Sequence, residues 1–85
     1  MNGYLVVTGN GRPVGRVVES HSDFLVVEVG RVRRSRRAVP LEFAHPLDAE
    51  RRVRITVPVQ MLRSSPRVNG TLDERAAAAY YGVAA

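Results

Sequence analysis

The chain has 85 residues, 45% hydrophobic and 25% charged, which is the composition of one small folded domain and excludes a disordered tail. It has no cysteine, so disulfide staples and thiolate chemistry are excluded as well. The formal net charge is +5 and every basic residue is arginine; a GC-rich genome accounts for that, and so does a need for planar, forked donors to phosphate or carboxylate.

YLVVT (4–8) reads as a short β-branched strand. GNGRPVG (9–15) is a turn cluster whose Asn-Gly pair signals a hairpin. Its glycines lack the Lys-Ser/Thr ending of a phosphate loop, and another strand follows where a dinucleotide loop would open a helix. VGRVVESH (14–21) and DFLVVEVG (23–30) are two further strands joined by a tight polar turn near Ser22-Asp23. Alternation puts Leu25, Val27 and Val29 on one face of the second, with Phe24, Val26 and Glu28 on the other. Both faces are largely apolar, which fits a small closed or nearly closed barrel with something packed outside it.

RVRRSRR (31–37) then places five arginines within seven residues. AVPLEFA (38–44) reads as a strand that is at an edge or broken at Pro40, because proline has no N–H to give a ladder. HPLDAER (45–51) reads as a turn formed by Pro46 and Asp48. RVRIT (52–56) alternates, with Val53 and Ile55 inward and Arg52, Arg54 and Thr56 outward.

After residue 57 the period changes. PVQMLRSSP (58–66) fits one or two helical turns that stop before Pro66, and SSPRVNG reads as a linker. TLDERAAAAYYG (71–82) is the clearest helix: Thr71 and Glu74 have capping-box spacing, the alanines favour helix, and Gly82 is placed to end it. A helix this short must dock to persist. Leu72, Ala76, Ala79 and Tyr80 lie at helical spacing for a docking stripe, through which the chain would also self-associate. The expectation is a mainly β domain of about five to six strands. Residues 1–57 form the barrel core, and residues 58–85 form a helical extension packed on it, with a short helical turn and a C-terminal α-helix.

GRPVGRVVES (11–20), FLVVEVG (24–30), AVPLEFA (38–44) and RVRIT (52–56) together resemble the PRC-barrel family. VPLE (39–42) matches the Val-Pro-Leu/Trp-Glu segment of that family, and PVGRVVES is similar to its Gly-x-x-Gly-x-Val opening strand without being literal. Pro66, Leu72-Asp73-Glu74-Arg75 and Tyr80-Tyr81-Gly82 look like a known tail extension of the family. The resemblance spans residues 3 to 82. It implies a small PRC-type β-barrel that acts as a non-catalytic adaptor. Such domains occur in the reaction-centre H subunit, in a ribosome maturation factor and as small stand-alone proteins, often dimeric. The membrane helix of the first and the other half of the second have no counterpart in this sequence.

The residues offer little for catalysis. Ser20-His21-Ser22-Asp23 brings a serine, a histidine and an aspartate close in sequence, but neighbouring strand positions alternate faces, so a polar hairpin turn is expected in place of a triad. His21 and His45 have no second ligand at a metal-site spacing, so no metal and no cofactor is expected. Glu42 is either an exposed strand residue or a partner for Arg36 or Arg54. No apolar run approaches the roughly 20 residues that span a bilayer. The opening MNGYLVVTGNGR lacks the features of a signal peptide. The expectation is therefore a cytoplasmic protein, not an enzyme and not inserted in a membrane.

That leaves the arginine run. Arg31, Arg33, Arg34, Arg36 and Arg37 occupy a hairpin loop or its flanks, with Arg52 and Arg54 as possible neighbours. They form a solvated tip that guards an edge strand, a docking patch for an acidic protein surface, or a contact to nucleic-acid backbone. Interleaved aromatics for base stacking are missing. The expected function is a protein-interaction module with a protein partner, forming a homodimer. An RNA- or ribosome-associated accessory protein is the alternative.

Overall fold

In the computed structural model, which describes residues 1–83, six strands precede two short α-helices. The strands are β1 (Leu5–Val7), β2 (Pro13–Ser20), β3 (Phe24–Val29), β4 (Ser35–Pro40), β5 (Ala44–Leu47) and β6 (Arg52–Ile55). The helices are α1 (Val59–Arg63) and α2 (Glu74–Tyr81). The sheet order is β4-β3-β2-β1-β6-β5. All neighbours are antiparallel except β1 and β6, which run parallel. The result is a mixed half-barrel. It is less closed than expected, because β4 and β5 do not pair and remain the two edges of the sheet.

Two cores lie on opposite faces of β3, as its double apolar alternation implies. Leu25, Val27 and Val29 pack inside the curl with Val6, Val17, Val39, Val53, Ile55 and Leu62. Phe24 and Val26 pack outside with Ala38, Val68, Ala77 and Ala78. Burying each such valine or leucine stabilises the fold by about 1.5–3 kcal/mol, so β3 is the strand on which both layers depend. Register shifts at Val6/Val7 and between Val17 and Glu19 are bulges that bend the sheet. Gly15 pairs with Val29, and a Cβ at Gly15 would run into the carbonyl oxygen of Glu28. Only glycine lets β2 and β3 approach this closely.

The C-terminal segment covers the outer edge of β4. Arg67 makes an antiparallel bridge to Arg37, and the Val68 N–H donates to the Arg36 carbonyl at 2.8 Å. The Tyr81 hydroxyl donates to the Ala38 carbonyl at 2.7 Å. The residues after α1 are therefore not a free linker. Ser65 and Val68 are buried, and Arg67 and Val68 extend the sheet's pairing beyond β4. The opposite edge, β5, has four residues and includes Pro46, two features that limit pairing with another chain.

Several sequence expectations are corrected here. Residues 45–51 are not a turn: His45 and Pro46 lie in β5, and only Asp48–Glu50 form a 3₁₀ turn. Proline and aspartate suggested a loop because an edge strand tolerates what a central strand does not. The segment 38–44 is divided, with β4 ending at Pro40 and a 3₁₀ turn occupying Leu41–Phe43. Helix α2 starts later than Thr71: Asp73 is its N-cap and accepts from the Ala76 N–H at 3.0 Å. Gly82 ends it in the left-handed region, at φ 71°. The buried residues of α2 are Ala77, Ala78 and Tyr81. Of the expected stripe, Leu72 packs on the outer core and Tyr80 on the inner one, whereas Ala76 is half-buried and Ala79 is exposed, so the docking face is turned partly away from it. The helix straddles the β4 edge, placing Ala77 and Ala78 against the outer core and Tyr81 against the inner one.

Candidate functional site

The arginine run is divided by the start of β4. Arg31 to Arg34 form the loop after β3, while Arg36 and Arg37 are strand residues on opposite faces. The loop turns at Gly30, whose φ of 105° is left-handed. A Cβ there would also meet the carbonyl oxygen of Arg33, so glycine permits the loop to fold back on itself.

Arg36 faces outward. It lies opposite Glu28 in the register, and Glu28 lies opposite Arg16. Arg36 approaches Glu19 at 3.4 Å and Glu28 at 3.9 Å, and Arg34 approaches Glu28 at 3.5 Å. These exposed pairs contribute at most about 1 kcal/mol each. Among the described residues Glu42 makes no ion pair; β4 instead carries Arg36 to the acidic residues of β2 and β3.

Arg37 faces inward, on the same side as its register partner Val27. Its Nε donates to Ser35 Oγ at 3.2 Å, and its Nη1 donates to the Ser65 carbonyl. Burial, and then the nearby charge of Arg67, push the Arg37 guanidinium below its ordinary value, while Tyr80 and Tyr81 act in the opposite sense. Two like charges are thus held near one another.

A cavity of about 300 Å³ opens beside Arg37, lined by Gly30, Arg33, Arg34, Arg37, Arg63 and Arg67 among others. No carboxylate lines it. A depression of about 380 Å³ adjoins it at Gly30 and adds Arg31. A third, of about 220 Å³, brings in Arg16 and Glu28. Among the described residues Arg31, Arg33, Arg63 and Arg67 form no salt bridge. One end of the half-barrel therefore carries a concentration of uncompensated positive charge.

The composition of this cluster differs from the expected one. Arg52 and Arg54 lie on β6, separated from β4 by β1, β2 and β3, and line none of these three depressions. Arg63 and Arg67 take the place expected for them. Arg63 closes α1, and Arg67 sits on the β4 edge bridge. No local pattern marks these two residues. They join the run only because α1 packs near β4 and the residues after Pro66 pair with that strand.

The polar hairpin holds no triad. His21 Nε2 lies 3.0 Å from Glu19 Oε1, the His21 N–H donates to the Phe24 carbonyl, and Ser20 donates to Asn2. Among the described residues no three His, Asp or Glu side chains gather as metal ligands. Tyr80 donates its hydroxyl to the Met61 carbonyl, and Tyr81 packs edge-on against Tyr80, so neither ring is presented for base stacking. One apolar side chain does stand out: Val32, between Arg31 and Arg33 at the loop tip, is 95% exposed. No helix among the described residues is long and apolar enough to cross a membrane. No family model and no curated protein matches the chain.

Proposed function

We propose that this chain is a non-catalytic protein-interaction module of PRC-barrel type that docks an acidic partner protein through the loop 30–34. The observation carrying this reading is Val32. Val32 is 95% exposed between Arg31 and Arg33, neither of which forms a salt bridge among the described residues, so the loop tip offers one apolar contact flanked by two unpaired guanidiniums to a carboxylate-rimmed surface. The half-barrel with VPLE running from β4 into the following 3₁₀ turn supports the family assignment. Self-association into a homodimer, with Ala79 and its half-buried neighbours on α2 available to a second copy, belongs to the same reading.

The second reading, an RNA-associated protein, draws on the convergence of arginines from the loop, α1 and the edge bridge. Binding of two fluorescent peptides, one alternating glutamate with leucine and one of glutamate alone, separates the readings when compared with a structured RNA at low and physiological salt. The docking reading predicts preference for the mixed peptide and loss of that preference in Val32→Ser. RNA binding that survives physiological salt, ignores Val32→Ser and exceeds peptide binding would favour the second reading. Light scattering across a concentration series tests the dimer.

A further inference from the structure

We propose that the cavity between the loop 30–34, α1 and the β4 edge bridge is a binding site for a diphosphate group. The site lies on the face assigned to partner docking but does not depend on that assignment. Its walls bring together Arg33, Arg34, Arg37, Arg63 and Arg67, with no carboxylate among the lining residues. Of these, only Arg34 has an acidic partner, Glu28 at 3.5 Å, among the described residues.

Charge sets the ligand class. A single carboxylate would leave most of these guanidiniums uncompensated. Two phosphate groups carry roughly three to four negative charges and present oxygens to planar, forked donors. The volume accommodates such a group. About 300 Å³ corresponds to roughly ten water-sized volumes, and a diphosphate has about nine non-hydrogen atoms. Arg37 is already fixed in place: Ser35 and Ser65 hold Nε and Nη1, and Nη2 makes no hydrogen bond to the described residues. No aromatic ring lines the cavity, so the site recognises the phosphates and not a base attached to them.

The test is isothermal titration calorimetry of the full chain with inorganic pyrophosphate at physiological ionic strength, with ADP and sulfate in parallel. The variants are Arg63→Ser, Arg67→Ser and the remote Arg54→Ser, each removing the same charge. Urea midpoints establish that each variant is folded, and Arg63 at the exposed end of α1 is the safer of the two site changes. Pyrophosphate is expected to bind about tenfold or more tighter than sulfate. Arg63→Ser and Arg67→Ser are each expected to weaken it by about tenfold or more, with Arg54→Ser within about twofold of the parent. ADP binding as tightly as pyrophosphate assigns the diphosphate of a nucleotide, and pyrophosphate alone assigns the free anion; both support the site. No binding, or equal losses in all three variants, overturns it, since equal losses mean only the field of the net charge. Tighter binding of single-stranded RNA than of pyrophosphate, lost in the same two variants, also overturns it. Pyrophosphate binding without acidic-peptide binding leaves this site standing and removes the docking reading.

Discussion

Tyr81 reaches from the last helix to donate its hydroxyl hydrogen to the carbonyl oxygen of Ala38 at 2.7 Å, so one buried side chain ties α2 to the edge strand β4. The same ring lies 6.2 Å from that of Phe43 and 5.1 Å from that of Tyr80. Tyr81→Phe keeps the ring and leaves a carbonyl unpaired; a loss of about 1–2 kcal/mol is expected in urea denaturation. Tyr81→Ala also opens a cavity in the inner core and is expected to lose about 3–5 kcal/mol. Equal effects of the two changes would mean that the hydroxyl, not the ring, holds the helix.

Alkaline pH acts on the same residue. Burial raises the Tyr81 phenol above its ordinary value of 10.0, so the folded chain keeps this proton after the unfolded chain has lost it. Its contribution to stability is complete below about pH 10 and is lost as pH rises through the folded value. Tyr4, raised chiefly by its hydrogen bond to Asp48, acts in the same direction. Urea midpoints are expected to fall as pH rises above about 10, and less steeply in Tyr81→Phe. A profile that is flat in the parent would contradict the burial of this phenol.

Gly15 and Gly9 make a matched pair. A methyl group at Gly15 meets the backbone of Glu28, whereas at Gly9 it meets nothing within 4 Å. Gly15→Ala must push β2 from β3 and is expected to lose about 1–3 kcal/mol or more. Gly9→Ala is expected to be neutral or slightly stabilising, by about 0.4–1 kcal/mol, because it restricts the unfolded chain. Thermal melts of the two variants, side by side, decide this.

The start of α2 is equally open to test. Asp73→Ala removes the acceptor for the Ala76 N–H and is expected to lower stability by about 1 kcal/mol. Thr71→Ala, outside the cap, should stay within about 0.5 kcal/mol of the parent. The reverse order would restore the capping box that the spacing of Thr71 and Glu74 suggested.

Much of the sheet was legible because alternation is a local signal. Phe24 to Val29 announced two buried faces, and Val53 and Ile55 announced one. β5 was hidden because Pro46 and Asp48 look like turn formers, and only the tertiary arrangement makes His45 and Pro46 an edge strand. The face of α2 was hidden for another reason: four consecutive alanines have no period to phase. Of the candidate site, the loop arginines were visible. The inward turn of Arg37 was not, since it depends on where β4 starts and on its register with β3, nor was the arrival of Arg67, which depends on a pairing with residues far earlier in the chain, nor that of Arg63 on α1.

The covering of β4 by later residues also sets an order of events during synthesis. When Pro40 is made, Arg67, the residue that bridges to this strand, lies 27 positions ahead. At typical elongation rates that interval lasts roughly one to five seconds. The outer side of β4 is therefore covered by residues made later than those of β3, which cover its other side. The run of arginines before Ala38 sets like charges beside that edge, an arrangement that disfavours pairing with another copy of the chain.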